Sequence, residues 1–235
     1  NGSDISCVGA SDGEITATPG GGTGAYSYAW YANAAMTISI GQTTATATGL
    51  SAGTYYVRVR DANGCEITGS ATLNDPPALT LSIDIDSDWN GSDISCNGAA
   101  DGEVTANATG GTGILSYEWF SDASFSTPIG QTTATATGLT AGTYWVLVTD
   151  DNLCTISGSI TLTEPDLVIA SATVSSDYNG SHVSCNGDSD GTALASATGG
   201  TGGYNYAWYS DAGLTTPLGQ TNAEATGLAA GQYWV

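Results

Sequence analysis

Between residues 79 and 163 apolar and polar positions alternate in short runs, and no stretch repeats at helical spacing. Leu79-Thr80-Leu81-Ser82-Ile83-Asp84-Ile85 predicts a first strand. Further strands are expected at 103–108, 114–120, 132–137, 144–149 and 155–163, with a short one around Pro128-Ile129-Gly130. Gly110-Gly111-Thr112-Gly113, Ser121-Asp122-Ala123 and Asp150-Asp151-Asn152 supply turns. Side-chain alternation also assigns faces. Tyr26, Tyr28 and Trp30 share one face, as do Leu115, Tyr117 and Trp119, and Tyr204, Tyr206 and Trp208; these rows are expected to line the core.

The pattern recurs. Gly49-Leu50-Ser51-Ala52-Gly53-Thr54-Tyr55-Tyr56-Val57 returns at 138–146 and at 227–235, a period of 89 residues, so the chain is an array of domain-sized copies. The leucine, the glycine three residues on and the tyrosine two after that resemble the tyrosine corner of Greek-key sandwiches, whose hydroxyl ties back to upstream backbone. Tyr55, Tyr144 and Tyr233 are the corner candidates. Seven short strands per copy predict an all-β chain of tandem immunoglobulin-like (PKD-like) Greek-key β-sandwiches. Pro76-Pro77 and Glu164-Pro165 read as linkers because proline cannot donate to a ladder. The expected domains are 1–76 without its strand A, a complete 77–165, and 166–235 without its strand G. The array is expected to continue past both ends.

Four motifs recur at matching offsets: Cys96-Asn97-Gly98 before Asp101-Gly102, Gly-Gly-Thr-Gly ahead of Tyr-x-Trp, the Gly-Leu-x-Ala-Gly-x-Tyr corner, and Asp61-Ala62-Asn63-Gly64-Cys65. Together they resemble the SprB-type repeat of large secreted cell-surface adhesins of gliding Bacteroidetes-type bacteria. Val8 departs from the pattern where Cys-Asn-Gly has its Asn, and Asp150-Asp151-Asn152-Leu153-Cys154 lacks the turn glycine. The resemblance implies an extracellular, secreted chain at the cell surface, export by the type IX route, a role as stalk or fibre, and no catalytic residue.

Charge narrows the partners. With 23 acidic and 2 basic residues the chain carries a formal charge of −21, which disfavours nucleic acid and anionic membranes. No window is long and apolar enough for a spanning helix. The single histidine, His182, is replaced by Asp4 and Asp93 in the other copies, so no Ser/His/Asp or metal-ligand set repeats, and no enzyme is expected. Asp84, Asp86 and Asp88 share one strand face and could hold Ca²⁺, the one cofactor candidate. A solvated acidic edge that blunts strand pairing is the competing account.

The outward face offers contact residues. Tyr31 with Tyr56, Phe120 with Trp145, and Tyr209 with Trp234 are expected to form an exposed aromatic pair in each copy. Such pairs suit neighbouring repeats, copies of the chain in a filament, or sugar rings; local cover by a loop is the bland reading. Asn1, Asn90 and Asn179, with Asn107 in addition, head Asn-x-Ser/Thr acceptor triplets for glycans. Two functions are open: a structural and adhesive segment of a surface adhesin or filament, and a carbohydrate-binding array using the outward aromatics.

Cys7, Cys65, Cys96, Cys154 and Cys185 are disulfide candidates in an exported protein. Pairing within a copy would join Cys7 to Cys65 and Cys96 to Cys154. Strand B, at about 3.3 Å per residue, separates those ends by roughly 20 Å, whereas a disulfide needs Cα atoms within about 7 Å. Pairing between successive copies, Cys7 with Cys154, is therefore favoured. Within-copy pairing and free thiols stay open.

Overall fold

The computed structural model describes residues 4–235. It is all β, with no helix among the described residues. Two compact units divide it: the described residues up to Asp84 with Thr105–Ala136 and Thr143–Ile160, and Ile85–Val104 with Thr137–Gly142 and Thr161–Val235. Each unit contains one linker, Pro76-Pro77 in the first and Glu164-Pro165 in the second.

The first copy forms β1 (Gly13–Thr16), β2 (Ser27–Tyr31), β3 (Thr46–Leu50), β4 (Gly53–Arg60) and β5 (Glu66–Leu73). The second forms β6 (Thr80–Ile85), β7 (Gly102–Thr109), β8 (Ser116–Phe120), β9 (Thr135–Leu139), β10 (Gly142–Thr149) and β11 (Thr155–Leu162). β12 (Ile169–Val174), β13 (Gly191–Thr198) and β14 (Glu224–Leu228) belong to the third. Sheet orders are β1-β3 and β2-β4-β5, then β6-β7-β9 and β8-β10-β11, then β12-β13-β14. In sandwich terms these are the A-B-E and C-F-G sheets of an immunoglobulin-like Greek key, which tandem copies repeat along the chain.

Each copy closes on a tryptophan. Trp30, Trp119 and Trp208 are fully buried, and their indole N–H groups donate to Thr44 O (2.9 Å), Thr133 O (3.0 Å) and Asn222 O (3.1 Å). Burying the large ring is favourable only because its one polar atom finds an acceptor. Around Trp30 pack Ile5, Ile15, Ala47, Leu50, Val57, Val59 and Leu73. Around Trp208 pack Ala193, Ala195, Ala225 and Leu228. The glycine that opens strand B sits under this closure: a Cβ on Gly13 would lie 2.6 Å from both Ile5 Cδ1 and Leu73 Cδ1, and one on Gly102 2.7 Å from Ile94 Cδ1 and Leu162 Cδ1.

Some boundaries differ from expectation. β9 begins at Thr135 rather than 132, because Thr133 is drawn aside: its carbonyl accepts the indole of Trp119 and its hydroxyl donates to Thr135 O at 2.6 Å. Around Pro128 there is one bridge to Phe120 and no strand. Tyr26 precedes the strand-C ladder and packs half-buried against the Trp30 core, whereas Tyr204 is exposed and not core; their hydroxyls donate to Gly21 O and Gly199 O. The corner tyrosines do tie back: Tyr55 donates to Ser51 O at 3.0 Å and Tyr233 to Ala229 O at 3.1 Å, while Tyr144 is buried.

Candidate functional site

In the first unit the recurring motifs converge on one junction. Asp150, only 3% exposed, shapes the turn between β10 and β11. Its Oδ1 accepts the amides of Asn152 and Cys154, both at 2.9 Å, and its Oδ2 accepts the amide (2.8 Å) and hydroxyl (3.0 Å) of Thr112. Burial pushes this carboxyl up, but the donors from Thr112, Cys154 and Asn152 outweigh it and hold the acid below its usual range. The turn presents Cys154, which is disulfide-bonded to Cys7 with Cα atoms 5.7 Å apart, and Asn152, whose Nδ2 donates to Ser6 O at 3.1 Å. Of the pairings open in the sequence, the structure has the one between successive copies. Cys65, Cys96 and Cys185 are free and exposed.

Gly-Gly-Thr-Gly clasps the linker. Gly111 N–H donates to Pro77 O at 2.8 Å, and a Cβ on Gly110, which has φ +86°, would lie 1.9 Å from Ala78 O. Only a residue without a side chain lets the linker pass so closely. Cys7, Pro77, Leu79, Leu153, Cys154 and Ile156 line a cavity of about 440 Å³ beside the disulfide.

The second unit repeats these parts. Gly200 N–H donates to Asp166 O at 2.7 Å, and a Cβ on Gly199 would meet Leu167 O at 2.1 Å. Asn97 of Cys-Asn-Gly donates to Glu164 Oε1 (2.9 Å) and Pro165 O (3.2 Å), and Gly98 N–H to Glu164 Oε2 (2.7 Å). That motif is thus a latch on the linker. Val8 cannot make the amide contacts, so in the first copy only Gly9 N–H reaches the linker acid, Asp75, at 3.2 Å.

Carboxylates serve as backbone caps, a role that no single sequence motif announced. Asp12, Asp101 and Asp190 accept the amides of Ser6, Ser95 and Ser184 at 3.2, 3.1 and 3.0 Å, and the serine hydroxyls and amides hold their pKa values below normal. Asp61 repeats the Asp150 pattern with Cys65, Thr23 and Asn63, and its pKa is lowered by those amides. Asp122 is held lowest, by the Ser124 hydroxyl first and then by Ser126 and Thr127; Asp211 is lowered by Thr215 and Thr216. The available signal was the recurrence of each acid at one offset from its partners.

The other candidates are dispersed. Asp84, Asp86 and Asp88 are exposed, with Asp84 accepting from Asn107 Nδ2 (2.8 Å) and Asp88 from Gly91 N–H (2.8 Å). Among the described residues no group of three or more His, Cys, Asp or Glu side chains is placed to hold a metal. His182 is exposed, and its carbonyl accepts from the Ser176 hydroxyl. Asn90 and Asn179 stand exposed on tight turns with φ near +55°, at 55° and 54°, beside exposed Trp89 and Tyr178. Asn107 is exposed with its amide engaged, and Asn1 lies outside the described residues.

The aromatic pairs are in register but covered. Tyr31 faces Tyr56, Phe120 faces Trp145, and Tyr209 bridges Trp234. Phe120 is not outward: it is 4% exposed, with Phe125 edge-on at 5.3 Å and Pro128 bridged across it. Strand parity is overridden there by the loop at 121–128, which folds back over the strand. Tyr31, Tyr56, Trp145, Tyr209 and Trp234 are half-buried, and the Arg58 guanidinium lies 5.4 Å from the Tyr31 ring.

No curated protein matches the chain. Among solved structures it is similar to three N-terminal domains of the bacteriophage RB49 Highly Immunogenic Outer Capsid protein, at 19% identity and TM-score 0.47, covering 97% of this chain and 80% of that one. It is also similar to the N-terminal eight Ig domains of Down Syndrome Cell Adhesion Molecule (15%, TM-score 0.31, covering 86% and 31%) and to the amphioxus IgVJ-C2 molecule (16%, TM-score 0.30, covering 68% and 99%). The family model described as SprB repeat matches residues 1–35, 90–123 and 180–213, once in each copy. These matches start at Asn1, Asn90 and Gly180, close to the period of the sequence, so each copy contains a segment similar to the SprB repeat.

Proposed function

We propose that this chain is a structural and adhesive segment of an extracellular bacterial surface protein, in which tandem sandwiches of 89 residues supply length and carry no catalysis. One observation carries the reading: Cys7, Gly111, Asn152 and Cys154, from recurring motifs, meet the Pro77 linker at a junction between successive copies, where Cys7 bonds Cys154, Gly111 bonds Pro77 and Asn152 bonds Ser6. An array held at its junctions resists separation of its parts, which is what a load-bearing surface fibre requires. SprB repeats occur in cell-surface proteins, which supports an extracellular location; export by the type IX route and assembly with copies of itself are part of the same proposal. The domains 1–76, 77–165 and 166–235 are the proposed repeating bodies.

Antibody labelling of intact and lysed producing cells tests the location; label on intact cells is expected, and label only after lysis overturns it. A glycan array probed with the whole chain tests the role. Selective sugar binding would replace the structural reading with the carbohydrate-binding one.

A further inference from the structure

The second copy has four sheet edges, and three of them are blunted. β6 carries Asp84 and is followed by Asp86 and Asp88. β8 carries Glu118, and the loop at 121–128 bridges Pro128 to its Phe120. β9 is five residues long and contains Gly138 at φ +67°. Charge, a covering loop, and a short or kinked strand are the means by which sheets discourage pairing with other chains. β11 has none of them. It is the outer strand of the β8-β10-β11 sheet, eight residues long, with no charge, no proline and no positive φ. In a chain with 23 acids an uncharged edge of that length is the exception.

The sequence of this edge is the same in both directions. Thr155-Ile156-Ser157-Gly158-Ser159-Ile160-Thr161 is a palindrome about Gly158. Antiparallel pairing centred there sets Gly158 against Gly158, Ser157 against Ser159, Ile156 against Ile160 and Thr155 against Thr161. Alternate residues of an edge strand direct N–H and C=O away from the sheet, and this register joins them whichever set they are, through about six to eight hydrogen bonds. Ser157 and Ser159 are exposed, so hydroxyls meet hydroxyls on the outward face, while half-buried Ile156 and Ile160 meet on the inner one. Gly158 keeps the centre free of a side chain for a reason internal to the copy: a Cβ there would lie 3.0 Å from Ile83 Cδ1 and 3.1 Å from Leu81 Cδ2, both on β6.

We infer that β11 pairs with β11 of a second copy of this chain, antiparallel about Gly158, merging two three-stranded sheets into one of six strands. This deepens the assembly in the reading above and rests on it. Charge selects the occupant. A basic partner settles on the acids elsewhere and finds none on β11, whereas a second polyanion approaches most closely where neither chain carries charge. The contact is isologous, so it closes at two chains. β5, the matching strand of the first copy, lacks the symmetry: Glu66 stands where β11 has Thr155 and pairs with Arg60, and Ala71 stands where β11 has Ile160.

Sedimentation equilibrium and amide hydrogen exchange of the whole chain over a range of concentrations, with the free thiols alkylated, test the inference. A monomer–dimer equilibrium is expected that tightens with added salt, because screening weakens repulsion between polyanions. Outward amides within 156–160 should gain protection as concentration rises while those of β5 and β9 do not, a readout that needs no variant. Ser157→Glu with Ser159→Glu sets like charges directly opposite and should weaken the dimer about tenfold. Ser157→Thr with Ser159→Thr should keep it, and Thr68→Glu with Ser70→Glu on β5 should leave it unchanged. A monomer at every concentration, protection at another edge, or an equal loss from the β5 variant would overturn the pairing. None of those results touches the labelling of intact cells, so the two ideas fall separately.

Discussion

The Cys7 loop is bonded and the Cys96 loop is free, yet their backbones are alike. Ala10 donates to Cys7 O at 2.9 Å and Ala99 to Cys96 O at 3.0 Å, while an aspartate caps the preceding serine in both. The glycine clasps agree equally well, at 2.8 Å to Pro77 O and 2.7 Å to Asp166 O. The junction is therefore shaped by carboxylate caps and glycine clasps, and the disulfide fastens a form that exists without it. This ordering explains how a chain with 23 acids and 2 bases folds: backbone N–H groups, more than cations, receive its carboxylates.

Breaking the clasp should have the largest effect. Gly110→Ala drives a Cβ into Ala78 O at a positive φ and is expected to cost about 4 kcal/mol. The matching Gly21→Ala, at φ +79° with nothing within 4 Å, should cost only about 1 kcal/mol. Urea melts of the two variants make the comparison, and equal losses would mean that linker contact does not matter. Next comes the staple. Cys7→Ser with Cys154→Ser should lower stability by about 2–4 kcal/mol while the amides of Ala10 and position 154 keep their protection from exchange; loss of that protection would reverse the ordering of cap and disulfide.

Acid should loosen both loops together. Asp12, Asp61, Asp101, Asp150, Asp190 and Asp211 have folded pKa values below those of an unfolded chain. Their contribution is present above about pH 4 and disappears as pH falls through the folded values. The urea midpoint should thus fall between pH 5 and pH 3, and Asp101→Asn should flatten that fall; a midpoint that holds steady would deny the caps their role. The smallest effect belongs to the corner. Tyr55→Phe removes a bond to Ser51 O and should cost about 1 kcal/mol, measured by the same melts.

Strands, tryptophan cores and corners were legible because they depend on period-two alternation and on residues within one short segment. Trp30, Trp119 and Trp208 are buried where strand parity puts them, and Tyr55 bonds four residues upstream. Phe120 was misread because parity knows nothing of a loop that returns over its own strand, here through Phe125 at φ 54°. Gly-Gly-Thr-Gly reads as a turn, and it is one. Its second role, against Pro77 and Ala78, involves residues more than thirty positions away. The capping role of Asp12, Asp61, Asp101, Asp150 and Asp190 was not legible because their partners are amides, which every residue but proline carries and which no pattern of side chains marks.

Arg58 and Arg60, the only basic side chains, lie on β4, the central strand of the β2-β4-β5 sheet. Arg58 stands over Tyr31, and Arg60 pairs with Glu66. Proteases that cut after lysine or arginine engage their substrate as an extended, unpaired segment. Such an enzyme meets two eligible bonds in 235 residues, and each is already paired on both sides by neighbouring strands. Trypsin-like digestion of the folded chain must therefore wait for β4 to leave its sheet, and the segment after Arg60 offers it no cleavage point at all.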